Sequence, residues 1–212
     1  MWHFLRSLID TLLPPHADAA LARAIADDEL AELMQPRTLP TKPWVHVLWP
    51  YHDARVRAVI KAVKYYGEAQ VAARVGVLAA DYLLDVIADL TTLQGWRNVV
   101  LVPVPSSSKR LRERGYNQAA RIAQAIAKNC DGVTYDESLL AREERVSQVR
   151  VMRSRRGANI KGAFYAPHPE LVKNKFIILI DDVVESGATL TDARRALLAA
   201  GARDVIALAL AH

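Results

Sequence analysis

The chain has one cysteine, Cys130, among 212 residues, so it cannot form an internal disulfide or a multi-thiolate zinc site. A reducing, cytoplasmic setting is the corresponding expectation. It also lacks any apolar run of membrane-spanning length. Residues 1–15 are rich in Trp, Phe and Leu, but Asp10 interrupts them and no small-residue cleavage site follows. They read as a surface-docking helix rather than a signal peptide. Neither GxxxxGK[ST] nor GxGxxG occurs, which removes the two commonest nucleotide-phosphate loops. There is no internal repeat and no low-complexity segment. What remains is ordinary globular material: 51% hydrophobic, 24% charged, with a net charge of +5. The length suits one domain with a small appendage, and the positive charge favours anionic partners without choosing among them.

The most informative segment is residues 176–190, FIILIDDVVESGATL. Five apolar residues, Phe176 to Ile180, end in the acids Asp181 and Asp182. Two valines follow, then Glu185, Ser186, Gly187, Ala188 and Thr189, and a helical pattern begins. A buried strand would thus deliver two carboxylates to its C-terminal edge, and a small-residue turn would deliver amides to a helix start. Neighbouring sugar hydroxyls suit the carboxylates, and a phosphate suits the turn. Ser186 and Thr189 add hydroxyl donors, and Gly187 lets backbone approach an oxyanion closely. The plainer reading is a βα turn whose aspartates cap a helix or face solvent. A two-component receiver also gathers aspartates at strand ends, but its pair lies on the first strand, whereas this one lies some thirty residues from the C-terminus. The segment resembles the phosphoribosyl pyrophosphate (PRPP) motif of the type I phosphoribosyltransferases: hydrophobic strand, two acids, two apolar residues, then a Thr/Ser-Gly-x-Thr loop.

A second loop, VPVPSSSKRLRERGYNQ at 102–118, fits a pyrophosphate. Ser106, Ser107 and Ser108 offer hydroxyls and amides. Lys109, Arg110, Arg112 and Arg114 offer charge, the arginines gripping phosphate oxygens in pairs. The plainer alternative is a solvated basic loop leading into a helix. With this loop the resemblance narrows to the ComF family, the competence-associated branch of those enzymes. VPVP, RLRERG and Tyr-Asn-Gln-Ala match it, as does LWPYHDARVRAVIKAVKYYG at 48–67. Ser147-Gln148, Arg153, Arg156, Asn159 and Gly162-Ala163-Phe164 match it too. The resemblance covers about residues 48–212. The four-cysteine zinc element common at the start of that family has no counterpart here.

Along the chain, residues 18–34 read as a helix, and Pro36, Pro40 and Pro43 suggest a linker over 35–43. Strands are expected at 44–49, 99–102, 139–142, 161–165, 175–180 and 205–211. Helices are expected at 53–63, 68–90, 117–128 and 190–200, with 103–115 as a loop. Unbroken apolar strands alternating with helices imply an α/β fold with a doubly wound, mainly parallel sheet, whose ligands bind beyond the C-terminal strand edges. The division expected is a helical N-terminal extension over 1–43 and a phosphoribosyltransferase-like domain over 44–212.

The family resemblance implies a Rossmann-like core, a variable hood and a mobile loop closing over PRPP. By position that loop is 146–159, with Gln148, Arg153 and Arg156; seven basic residues and two acids lie between 142 and 161. It implies phosphoribosyl transfer to a nitrogen nucleophile, with Mg²⁺ carried mainly by PRPP and with Asp181 or Asp182 as its nearest protein contacts. Asp181 and Asp182 would hold the ribose, residues 185–189 the 5′-phosphate, and residues 106–110 with Arg114 the pyrophosphate. Glu185 is weighed equally as a base for the acceptor's proton and as a rim residue without chemistry. The same features also fit a non-catalytic module that senses PRPP or holds single-stranded DNA and competence proteins, with Tyr65 and Tyr66 as stacking surfaces. The apolar N-terminal residues Trp2, Phe4, Leu5 and Leu8 would dock on the domain or on a second subunit, so the sequence allows a dimer.

Overall fold

Strands that are apolar at every position need cover on both faces, and the sheet of this protein has it. The computed structural model describes residues 17–143 and 162–212. Six strands form the main sheet: β1 (Arg37–Leu39), β2 (Lys42–Trp49), β3 (Val99–Pro103), β4 (Thr134–Tyr135), β7 (Phe176–Val183) and β8 (Asp204–Ala211). Their order is β1-β2-β8-β7-β3-β4. Only β1 and β2 pair antiparallel; β2·β8, β8·β7, β7·β3 and β3·β4 are parallel. Two further strands, β5 (Ala141–Arg142) and β6 (Phe164–Tyr165), make a separate antiparallel ribbon.

Alternate residues of the central strands serve two cores. Ile178 and Ile180 pack with Val99, Leu101 and Ile206 on one face, beneath α1 (Ala17–Ala24), α3 (Ala54–Tyr65), α4 (Ala69–Gln94) and α6 (Gln118–Ala127). Ile177 and Leu179 pack with Val100, Val102 and Val205 on the other, beneath α8 (Ala188–Ala199), the short α7 (Pro169–Val172) and the ribbon. Burying each such side chain contributes about 1.5–3 kcal/mol, so β7, with residues 176–180 all buried, is held from both sides. Rigid anchoring of β7 matters because the acids sit at its end. The structure is thus the mainly parallel, doubly wound α/β sheet expected.

Three local expectations change. The helix expected over 18–34 is two helices, α1 and α2 (Asp27–Glu32). Between them Ile25 turns into the core, and Arg74 of α4 donates to the carbonyls of Ala22 (3.3 Å) and Ile25, taking the place of the next turn's amides. The proline-rich stretch 35–43 is not a linker but β1, a tight turn and the start of β2. Proline is tolerated there because Pro43 precedes Val45, the first residue of β2 paired with β8. The division expected between 43 and 44 therefore falls inside β2. The loop expected over 103–115 contains a helix, α5 (Ser108–Arg114), started by Ser107, whose hydroxyl accepts from the Arg110 amide.

Gly76 of α4 marks where α4 crosses α6. A Cβ there would lie 2.4 Å from the Ala125 Cβ and 2.8 Å from its backbone carbon. Gly76→Ala gains helix propensity but must push α6 away, so the sum is a loss. We expect it to lower unfolding free energy by about 1–3 kcal/mol in urea titration; an unchanged or raised stability would show that the helices part freely.

Candidate active site

Parallel strands end on one edge, and here β2, β3, β7 and β8 all deliver their C-terminal residues to a cavity of about 470 Å³. Its acidic floor is Asp181 and Asp182. Asp182 is buried, 6% exposed, and its Oδ2 accepts from Lys64 Nζ at 2.9 Å and from Gln118 Nε2 at 3.4 Å. Its Oδ1 takes the Val183 amide at 2.8 Å. Asp181 Oδ1 accepts the Asp182 amide at 2.9 Å. Burial first, and then the neighbouring Asp182 charge, push the Asp181 carboxyl up to about 8; the Asp182 amide and the Lys64 ammonium oppose this without cancelling it.

The opposite wall is the turn 185–189. Gly187 has φ +70° and forms the N-cap of α8, a left-handed conformation that side chains resist. A Cβ on it would also meet the Lys42 Cδ at 2.9 Å. Ser186 Oγ accepts the Ala188 amide at 3.3 Å, and Thr191 Oγ1 donates to the Gly187 carbonyl at 2.8 Å. The first-turn amides of α8 have no intrahelical acceptor, and they point where an anion would lie. Ser186, Ala188 and Thr189 line the cavity; Glu185 does so from an exposed rim position.

The basic loop divides. Ser106 and Arg110 line the cavity. Ser106 is fixed by Asn117, whose Oδ1 accepts the Ser106 hydroxyl at 3.0 Å and the Ala119 amide at 3.2 Å, while its Nδ2 donates to the Val104 carbonyl. One asparagine thus caps α6 and pins the loop. Ser107 is spent on capping α5, and Ser108 opens that helix outside the cavity lining. Lys109 pairs with Glu113 in solvent. Arg114 turns away and stacks its guanidinium 4.7 Å from the Tyr65 ring centre. Gln148, Arg153 and Arg156 lie outside the described residues, as do 1–16.

Several cavity residues were not anticipated as functional ones from sequence: Lys64, Gln118, Tyr51 and His212. For Lys64 and Gln118 a signal was present, since both fall in segments matched to the family, Lys-Tyr-x-Gly and Tyr-Asn-Gln. The structure shows why those segments act together. Tyr116 Oη donates to the Val63 carbonyl at 2.9 Å, Arg121 lies 3.6 Å over the Tyr116 ring, and its Nη1 donates to the Gly67 carbonyl at 3.1 Å. The clasp fixes the end of α3 and so places Lys64.

Asp192 of α8 organises the far side. It is 4% exposed and accepts the amides of Gly162 (2.9 Å) and Ala163 (2.8 Å) and both Nε and Nη2 of Arg195. Burial would raise its carboxyl, but the Gly162 amide, Arg195 and the Ala163 amide outweigh it and hold the group below its ordinary value. This tie anchors the ribbon that brackets residues 144–161. Arg142 of that ribbon lines the cavity.

No protein-family profile matches the chain. Curated relatives do. It is 32% identical over 113 residues to competence protein ComFC of Streptococcus pneumoniae, covering 53% of this chain and 48% of that one. It is 31% identical over 106 residues to the DNA utilization protein YhgH of Salmonella typhi, covering 50% and 45%. It is 25% identical over 154 residues to ComFC of Bacillus subtilis, covering 73% and 58%. The chain spans about half the length of these relatives. Among solved structures, a glutamine PRPP amidotransferase from B. subtilis complexed with ADP and GMP is similar at 19% identity and TM-score 0.42, covering 71% of this chain and 30% of that one. A hypoxanthine phosphoribosyltransferase from Staphylococcus aureus is similar at 11% and 0.33, covering 66% and 62%. At these scores the structural likeness carries no argument. The sheet order and its parallel pairings define a doubly wound α/β protein with a cavity at the C-terminal strand edge that is lined by two carboxylates. The curated relatives, at 25–32% identity, support a ComF-family protein.

Asp192→Ala leaves the buried Ala163 amide without its acceptor, so we expect a loss of about 2 kcal/mol in urea unfolding at pH 7. Because the folded carboxyl is held low, this contribution is fully present above the ordinary carboxylate value. The gap between wild type and variant should close as pH falls through the lowered one. A gap that persists in acid would contradict the assignment.

Proposed function

We propose that the cavity binds PRPP with Mg²⁺ and transfers its phosphoribosyl group to a nitrogen nucleophile, releasing pyrophosphate, in the handling of incoming DNA. One observation supports this above the rest: the contiguous acidic pair and Gly187 turn line a single cavity at the C-terminal strand edge together with Ser106 and Arg110, which come from a distant part of the sequence. A sugar phosphate with a second phosphate group on C1 has that charge pattern. The names of the relatives, competence and DNA utilization proteins, supply the cellular context.

In this reading residues 186–189 hold the 5′-phosphate by backbone amides and hydroxyls. Asp181 and Asp182 hold the ribose hydroxyls. Ser106 and Arg110 hold the pyrophosphate. As the C1–O bond breaks, its electron pair leaves with pyrophosphate and positive charge grows on the sugar. The nucleophile's lone pair then forms the C1–N bond, and its proton passes to a base, for which Glu185 stands at the rim. Among the described residues no three His, Cys, Asp or Glu side chains group to hold a metal. That arrangement fits Mg²⁺, which commonly takes one or two carboxylates together with substrate phosphates. Asp182 Oδ2 is engaged by Lys64 and Gln118, so Asp181 is the carboxylate with room for it. When bound, Mg²⁺ neutralises charge on the leaving pyrophosphate.

Calorimetry with PRPP and Mg²⁺ tests the reading. Asp181→Ala with Asp182→Ala should weaken binding by about a hundredfold or more, the loss of two charged hydrogen-bonding groups; unchanged affinity would remove the proposal. Pyrophosphate release across a panel of bases then separates turnover from effector binding. Within the basic loop, Arg110→Ala should weaken PRPP binding at least about tenfold. Arg114→Ala, facing Tyr65, should leave it nearly unchanged, and equal losses in the two variants would contradict this division of roles.

A further inference from the structure

Lys64 lies on α3, in the layer opposite α8, and reaches the acidic pair across the sheet edge. Its side chain is 20% exposed and its Nζ sits 2.9 Å from Oδ2 of Asp182, whose side chain is only 8% exposed. Gln118 Nε2 reaches the same oxygen from α6, and the Val183 amide occupies the other. Asp182 is therefore held from three elements, whereas Asp181 accepts the amide of its own neighbour, Asp182. The clasp of Tyr116 and Arg121 on Val63 and Gly67 holds the lysine's helix end in place. A half-exposed loop lysine waiting for phosphate would not need such anchoring.

We propose that Lys64 is a positioning residue: by fixing the orientation of Asp182 it sets the preference of the cleft for a ribosyl group over a 2-deoxyribosyl group. The inference rests on the phosphoribosyl reading and deepens it, assigning sugar selectivity to a pairing outside the acidic segment. Selectivity for one hydroxyl needs an acceptor that cannot swing to follow its absence. A carboxylate pinned by an ammonium, an amide side chain and a backbone amide meets that need: its remaining lone pairs keep a fixed direction, and a ligand lacking the hydroxyl forfeits the charged hydrogen bond offered there. Released by loss of the lysine, the carboxylate would turn or gather water, and both sugars would be accepted alike.

The test compares binding of ribose 5-phosphate and 2-deoxyribose 5-phosphate, by calorimetry or ligand-observed NMR, in wild type, Lys64→Gln, Lys64→Met and Lys64→Arg, with thermal unfolding as the check of folding. Wild type should favour the ribo sugar by at least about tenfold, one hydrogen bond to a charged group. The ratio should fall toward one in Lys64→Gln and Lys64→Met and recover in Lys64→Arg. Lys64→Gln keeps a donor without charge, so it serves if the methionine variant does not fold. A ratio unchanged in the neutral variants overturns the proposal. An equal drop for both sugars overturns it too, since that marks general damage or direct contact with phosphate. Wild type binding neither sugar phosphate would instead overturn the ribosyl reading itself, which separates the two failures.

Discussion

Two carboxylates side by side at the end of a buried strand repel each other, and much of this fold is arranged to keep both in place. Asp181 and Asp182 follow a run of apolar residues that no alternative register would bury as well. β7 has partners on both sides and a core on both faces, so its end cannot fray away from the charge. The repulsion is met in two ways. Lys64 and Gln118 take Asp182 as a paired carboxylate, and burial drives Asp181 toward its neutral form. The pairing depends on two helices from much earlier in the sequence, α3 and α6, arriving at this edge.

The anion side follows from connectivity. In a parallel sheet each strand's C-terminal end feeds the next helix start, so the β7–α8 turn and the β3–α5–α6 segment open on the same edge as the acids. Gly187 permits the left-handed turn that begins α8, and Asn117 ties the Ser106 loop to the start of α6. Negative floor and positive walls in one cavity of this kind match a ligand that combines hydroxyls with phosphates. The curated relatives match about half of this chain, over about half their own length.

Much of this was legible in sequence because it was local. The strand before Asp181, the turn at Gly187 and the helix after it occupy contiguous residues, and their periodicity and small-residue pattern say what they are. The alternation of apolar strands and helices likewise announced the parallel sheet. What sequence did not show is what depends on distant partners. The break between α1 and α2 is made by Arg74, a residue fifty positions on, taking carbonyls that a continuous helix would have used. The prolines at 36–43 suggested a linker because proline is read as a breaker, yet a strand start that β8 does not reach accommodates one. Arg114 looked equivalent to Arg110, but it stands at the last residue of α5, one turn further on, where it lies against Tyr65 while Arg110 lines the cavity. Lys64 could be placed on a helix end from its pattern, but not against Asp182, since that contact spans the whole sheet edge.

The most direct measurement is a crystal structure with PRPP and Mg²⁺ bound. The account predicts density for the 5′-phosphate on the amides of residues 187–189, the ribose hydroxyls within hydrogen-bond reach of Asp181 and Asp182, and the pyrophosphate beside Ser106 and Arg110. Ligand bound elsewhere on the molecule, or a cleft that stays empty at saturating PRPP, would contradict it.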